Sequence, residues 1–285
     1  MSDILKDKVV IVTGGSMGIG YACAKECMEE GATVIICARN KDDLNVAYDK
    51  LAEIDSKRIV SIPADVSIDR EVGYVLWTAS TKFGKIDGVI HSAGIYGPIG
   101  PIMEISPDEW LNTIKVNLFG SFLVARAAAY YMKNKGGSIV LMSGGGAATP
   151  FPNYTAYASS KVGVVRLAET IAQELAPYNI RVNAVAPGFV ATRLHQQTIE
   201  AGEKLAGTFV EITKQKLEKG AVPPEIPARA CAFLLSDAAQ GITGKFIAAP
   251  YDGWENWPKH LDEIENSDLF TLRRIVPKDR GMNWQ

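Results

Sequence analysis

The stretch Val9-Val10-Ile11-Val12-Thr13-Gly14-Gly15-Ser16-Met17-Gly18-Ile19-Gly20 decides the fold. Val9 to Val12 is short, apolar and β-branched, the signature of a strand buried on both faces. Glycines at 14, 18 and 20 follow at once, and a helical run from Gly18 to Glu30 opens behind them with Ile19, Ala22, Cys23 and Cys27 at apolar positions. Backbone without Cβ atoms turns sharply and lets a pyrophosphate come close, while the helix N-terminus offers free N–H groups and a partial positive charge. Glycines in this spacing also occur in tight turns without a ligand. Their place between a strand and a helix is the context that a dinucleotide site requires, with Gly14, Ser16, Met17, Gly18, Ile19 and Gly20 as its wall.

Outward from this unit, strands and helices alternate. Strands are expected at Thr33 to Ala38, Arg58 to Ile62, Ile86 to His91, Ser138 to Met142, Ile180 to Ala186 and Lys245 to Ala248. Helices are expected at Asp42 to Ile54, Arg70 to Lys82, Pro107 to Val116, Leu118 to Lys133, Thr155 to Leu175 and Pro227 to Leu235. Nearly continuous apolar strands joined by helices imply an α/β fold: a doubly wound parallel sheet, Rossmann-like, covered by helices on both faces. No linker or repeat divides the chain, so one domain over 1–285 is expected, with a core at about 6–250. Two segments depart from the alternation: an insertion at 191–224, placed as a substrate loop or lid, and an extension at 251–285.

With Lys plus Arg at 30 and Asp plus Glu at 32, the net charge is -2. That balance gives no reason to expect nucleic acid or an anionic membrane as a partner. No apolar run reaches the roughly 18 residues of a membrane span, and the first residues contain no secretory apolar region; a cytoplasmic protein is the expectation. Cys23, Cys27, Cys37 and Cys231 form no CxxC and no cluster with His91, His195 or His260, so structural thiols are expected and no metal.

The second strand ends Ala38-Arg39. An acid here would hydrogen-bond a ribose hydroxyl and favour NAD; Arg39 suits a 2′-phosphate, so NADP(H) is favoured and NAD(H) remains possible. The bland reading of Arg39 is a solvated loop arginine. Further on, Tyr157-Ala-Ser-Ser-Lys161 places two side chains on one helix face. A free tyrosine titrates near ~10; a cation about 4 Å away contributes roughly 4 kcal/mol at an effective dielectric of ~20, enough to make Tyr157 a usable acid/base. Tyrosine and lysine at this spacing also often do no more than pack and solvate.

Thr-Gly-x-x-x-Gly-Ile-Gly, then Tyr-x-x-x-Lys, then Pro187-Gly188, together with Ala64-Asp65-Val66, Asn117 and Ile242-Thr243-Gly244, resembles the short-chain dehydrogenase/reductase family over about residues 6–250. The resemblance implies hydride transfer at nicotinamide C4 coupled to proton exchange between Tyr157 and the oxygen of a carbonyl or secondary alcohol on a small-molecule substrate. It implies that Lys161 lowers the Tyr157 pKa and binds the nicotinamide ribose, that Asn117 anchors a water relay to Lys161, and that Asp65 and Val66 sit by the adenine. It also implies that Pro187, Gly188, Val190 and Thr192 hold the nicotinamide, that Ala93 and Gly94 lie at the cofactor, and that the protein is a homo-oligomer, a tetramer or dimer.

Two positions depart from the family pattern. His91-Ser92-Ala93-Gly94 stands where Asn-Asn-Ala-Gly is usual, with His91 read as an interior histidine. The substrate-polarising serine usually lies thirteen residues before the tyrosine, at 157 − 13 = 144, which is Gly144. Losing such a donor can cost about 10²–10³ in rate. Three readings follow: Ser143 does the work through a longer loop, another group such as Tyr154 does, or catalysis is weak. Accordingly, the rivals to an alcohol dehydrogenase or carbonyl reductase are a dinucleotide-binding protein with little catalysis and an epimerase or dehydratase on the same fold. In the insertion stand Arg193, His195, Gln196 and Gln197; in the extension, Tyr251, Asp252, Trp254 and Trp257. These tryptophans either stack on a polyhydroxylated ligand or fold the tail onto the body or another subunit.

Overall fold

Seven strands, all parallel, run in the order β3-β2-β1-β4-β5-β6-β7 in the computed structural model, which describes residues 3–284. They are β1 (Val9–Thr13), β2 (Thr33–Ala38), β3 (Ile59–Pro63), β4 (Gly88–His91), β5 (Gly137–Met142), β6 (Ile180–Ala186) and β7 (Phe246–Ala248). Helices α1 (Gly18–Glu29), α2 (Lys41–Asp55), α3 (Asp69–Phe83), α4 (Pro107–Ile114), α5 (Gly120–Met132) and α6 (Thr155–Leu175) connect the first six strands. Between β6 and β7 come α7 (Arg193–Ala206), α8 (Phe209–Lys219) and α9 (Glu225–Leu235), and α10 (Leu261–Glu265) lies in the extension.

The reason for the layering is visible in β1. Successive side chains of a strand point to opposite faces. Val10 and Val12 enter the core under α1, α2 and α9, with Cys23, Cys27 and Leu234, while Val9 and Ile11 enter the core on the other face, with Val75, Val124 and Val164. A strand apolar at every position therefore has to be covered twice. The chain reverses its winding between β1 and β4, where ligands bind in open α/β sheets.

Two local departures from the expected elements have physical causes, and the extension takes one of its two expected courses. The helices expected on either side of Asn117 are one continuous rod, with a π turn at Lys115–Phe119 in place of a break. The 191–224 segment is not a bare loop but holds α7 and α8; Gly202, at φ 69°, breaks the helical pattern inside α7. The extension folds onto the body. Trp254 lies against Phe233 (5.2 Å between ring centres) and Trp257 against Phe270 (4.3 Å), both indoles buried, with their N–H groups donating to the Ala249 and Asp252 carbonyls. The Phe270 carbonyl accepts from Phe246 N of the edge strand β7 at 2.7 Å, and Leu272 N donates to Glu169 on α6. An otherwise open sheet edge is thereby covered.

All four cysteines are buried thiols, and no cluster that would hold a metal is found among the described residues. No described helix is long and apolar enough to cross a membrane.

Trp254→Ala is expected to destabilise the protein by about 3–5 kcal/mol, the usual cost of emptying a buried indole site. Denaturant unfolding followed by circular dichroism measures this; a loss below about 1 kcal/mol would show that the extension is dispensable to the core.

Candidate active site

At the carboxyl ends of β1, β2 and β4 a cleft of about 1060 Å³ opens. Of the residues expected to hold a dinucleotide, Gly14, Ser16, Met17, Gly18, Ile19, Gly20, Arg39, Val66, Ala93, Gly94 and Thr192 line it. The turn after β1 is built for close approach. Gly14 has φ +67°, and a Cβ there would lie 2.8 Å from Ala93 N; a Cβ at Gly20 would lie 2.2 Å from the Gly14 carbonyl oxygen. No side chain fits at either point, so backbone alone forms the cradle beneath the α1 N-terminus. These residues fit a dinucleotide. Asp65 is not on the wall: its carboxylate accepts from Ser67 N and Oγ and stands 4.0 Å from the half-exposed Arg39 guanidinium.

A second cavity of about 550 Å³ adjoins the cleft, and Ile19, Thr192, Leu194 and His195 line both. Tyr157, Pro187, Gly188 and Val190 lie on the second cavity's wall. Asn117, Ser143 and Lys161 are buried and lie on neither wall.

The long helix α6 carries Tyr157 and Lys161 one turn apart. The Lys161 ammonium is 5.6 Å from the Tyr157 ring centre and donates to the Met142 carbonyl at 2.9 Å, at the end of β5. Burial pulls Lys161 down to about 8 and pushes Tyr157 up to about 12. The expectation that Lys161 lowers the Tyr157 pKa is therefore not met in this arrangement, because both groups are desolvated and the ammonium is turned to a backbone oxygen. Asn117, in the π turn, is a clamp: its Nδ2 donates to the Ile95 carbonyl and to Ser160 Oγ, and its Oδ1 accepts from Ile95 N. Ser160 Oγ donates in turn to the Tyr157 carbonyl. The loop after β4 is thus tied to the helix that presents the tyrosine. A Cβ at Gly94 would lie 3.2 Å from Asn117 Oδ1 and 3.3 Å from Lys161 Nζ, so these two groups meet over a bare backbone position.

Neither candidate for the absent serine faces the cavity. Ser143 Oγ donates to the Lys161 carbonyl, on the far side of the strand end. Successive side chains of an extended chain alternate, so residue 143 points away from whatever 144 faces. Tyr154 Oη donates to Thr198 Oγ1 at 2.8 Å and is fully buried. Gly144 does face Tyr157: a Cβ there would lie 2.6 Å from the tyrosine hydroxyl, which occupies the space that a side chain would take.

Sequence reading missed Tyr96, whose ring stands edge-on to Tyr157 (4.8 Å) and to Tyr154 (5.2 Å). Its only signal is an aromatic residue two positions beyond Gly94, at the carboxyl end of β4. His195, noted in the insertion, sits at the junction of the two cavities, 4.0 Å from the Phe189 ring centre, and burial lowers its pKa to about 4. His91 Nδ1 is paired with Thr13 Oγ1 at 2.8 Å, while Nε2 is buried and has no partner among the described residues. Burial first, then the Lys161 charge, lowers its pKa to about 3.

A family model described as enoyl-(acyl carrier protein) reductase matches residues 14–250. Over 242 residues the chain is 32% identical to dehydrogenase/reductase SDR family member 4 of Caenorhabditis elegans, covering 84% of this chain and 92% of that protein. It is 31% identical over 257 residues to levodione reductase of Leifsonia aquatica, with 88% and 94% covered. The crystal structure of an NAD+-bound xylitol dehydrogenase superimposes with a TM-score of 0.79 at 28% identity, over 86% of this chain and 97% of that one.

Two outcomes follow from the geometry. Gly144→Ala forces the Tyr157 hydroxyl to move and is expected to cost about 1–3 kcal/mol of stability, whereas Gly145→Ala meets nothing within 4 Å and is expected to be silent; equal effects would contradict the placement of Tyr157. For His91, the unfolded chain takes up a proton below 6.5 that the folded chain refuses down to about 3. Stability from this source is complete above 6.5 and is lost as pH falls towards 3. The urea midpoint of His91→Asn should fall less between pH 7 and pH 5 than that of the parent; parallel falls would refute it.

Proposed function

The chain belongs to the short-chain dehydrogenase/reductase family, and we propose that it is a carbonyl reductase or alcohol dehydrogenase that prefers NADP(H) and uses Tyr157 as its acid/base. The observation that carries this reading is the position of Tyr157: its hydroxyl is on the wall of a mostly apolar cavity, and that cavity opens into a glycine cradle suited to a dinucleotide. A nicotinamide dinucleotide, when bound, supplies or accepts the hydride.

The chain's own residues supply the rest. Gly14 to Gly20 and the α1 N-terminus hold the pyrophosphate, with Val66 beside the adenine and Pro187, Gly188, Val190 and Thr192 at the nicotinamide end. Arg39, with half its side chain in solvent at the end of β2, is the reader of a 2′-phosphate. Tyr157, neutral at physiological pH, donates its hydroxyl proton to a carbonyl oxygen and takes one from an alcohol in the reverse direction. Lys161, one turn along the same helix, stabilises the tyrosinate that forms once its ammonium leaves the Met142 carbonyl. Asn117 holds the loop after β4 and the Tyr157 turn in one frame. Exposed Leu111 on α4, Phe119 at the end of the π turn, and Phe122 and Tyr130 on α5 support association with a second copy.

A second reading, a dinucleotide-binding protein with little turnover, is favoured by one observation: Gly144 provides no donor, while Ser143 and Tyr154 spend theirs elsewhere.

Tyr157→Phe should lower kcat for carbonyl reduction by about 10²–10⁴ with little change in NADPH affinity; unchanged kcat would remove the proton-transfer role. Arg39→Ala should weaken NADPH binding by about tenfold or more and leave NADH within about twofold, the loss of one charge-assisted phosphate contact. Equal weakening of both would make Arg39 a bystander. Parent protein that binds NADPH yet turns over no member of a panel of ketones, keto-sugars and quinones would favour the second reading.

A further inference from the structure

Aromatic rings contribute to the wall of the second cavity, among them Tyr96, Phe151, Phe189, Phe209 and Tyr251. No carboxylate lines it, and its one histidine, His195, is held neutral by burial. Its one charged lining residue is Lys216, on the lid helix α8. Among the described residues no hydrogen bond or ion pair engages the Lys216 ammonium. It stands 5.1 Å from the centre of the Phe189 ring, close enough for a cation–π contact that keeps it at the rim of the cavity. Exposed lysines on helices commonly pair with an acid of their own element or reach into water. This one, itself exposed, lies against the Phe189 ring at the edge of a cavity whose wall carries no counter-charge. The wall that holds Tyr157 also carries Gly144-Gly145-Gly146, where a side chain at 145 would meet nothing within 4 Å.

We infer that the substrate of this site is anionic: a ketone or secondary alcohol that carries a carboxylate on an apolar ring or chain, its oxygen at Tyr157 and its carboxylate at Lys216. The inference rests on the reading of the cavity as the substrate site. Two features support an anion over a neutral polyol. The only charged side chain on the wall is a cation, so a carboxylate on the ligand meets an opposite charge and no like one. The polar side chains of the wall, among them Thr149, Asn153, Thr192 and Thr208, can all donate, and no acid stands among them to repel a carboxylate. Covered by the lid, the pair would be less screened than on an open surface. Lys216 is then a specificity-determining residue and takes no part in proton or hydride movement.

The test uses matched pairs that differ only in charge: levulinate and its methyl ester, and para-acetylbenzoate and its amide. With the NADPH-bound protein, kcat/KM for the acid should exceed that for the neutral partner by about tenfold, through KM, and the ratio should shrink as salt is raised. In K216Q the ratio should fall towards one; in K216R it should persist; in K216E the acid should become the poorer partner. Calorimetric affinity of para-acetylbenzoate and its amide for the protein–NADP+ complex gives a second readout that needs no turnover. Preferential binding of the acid, lost in K216Q, supports the anionic ligand even where no reduction is seen, in which case the hydride-transfer reading alone fails. Equal affinity of acid and amide, or a preference for the acid that survives K216Q, overturns the inference whatever the turnover.

Discussion

The site depends on a lysine buried without a counter-ion among the described residues. One neutral oxygen, the Met142 carbonyl at 2.9 Å, receives the Lys161 ammonium. An ammonium taken from water into such surroundings gives up much of its hydration, and its pKa falls to about 8. What keeps it there is the frame around α6. Ser143 holds the Lys161 carbonyl, and Ser160 holds the Tyr157 carbonyl. Asn117 holds Ser160 and both backbone groups of Ile95. These bonds join the ends of β4 and β5, the π turn and the helix that presents the tyrosine. The same burial keeps Tyr157 neutral. The pair is a proton donor with a latent positive charge beside it, and any partner that draws Lys161 from Met142 towards the tyrosine would release that charge for use.

The glycine at 144 changes how the site divides its labour. The Tyr157 hydroxyl occupies the space where a side chain would otherwise stand, so substrate oxygen and tyrosine meet with no flanking serine. In the reaction proposed, positioning falls more heavily on the walls: the edge-on contact of Tyr96, the ring of Phe189 and the helices α7 and α8. An enzyme that orients its substrate by remote contacts can recover part of the rate that a missing donor loses, because binding energy away from the reacting atoms is available for orientation.

Much of the fold was legible because it is set locally. In Val9 to Gly20 the strand, turn and helix signals lie within twelve residues, and all five connections between the first six strands follow from apolar runs of ordinary length. The misses are non-local. Asn117 was taken to divide two helices, whereas its bonds to Ile95 and Ser160 widen one turn of a continuous rod. Side-chain alternation at the end of β5 could have excluded Ser143, since a residue one position off must face the other way. Tyr96 carries no motif, and its role arises only when β4 ends beside α6. The tail tryptophans gave no period to read; their burial depends on Phe233 and Phe270, residues far apart along the chain.

Ultraviolet difference titration of tyrosine, with Tyr157→Phe as the subtracted reference, measures the state of this pair in the free protein and in the presence of saturating NADP+. Tyr157 is expected to stay neutral up to about 12 in the free protein and to ionise below the ordinary tyrosine value of about 10 once the cofactor is bound, as Lys161 leaves the Met142 carbonyl. A Tyr157 titration that is the same with and without the cofactor would contradict the account, because the buried charge would then be uncoupled from the group that moves the proton.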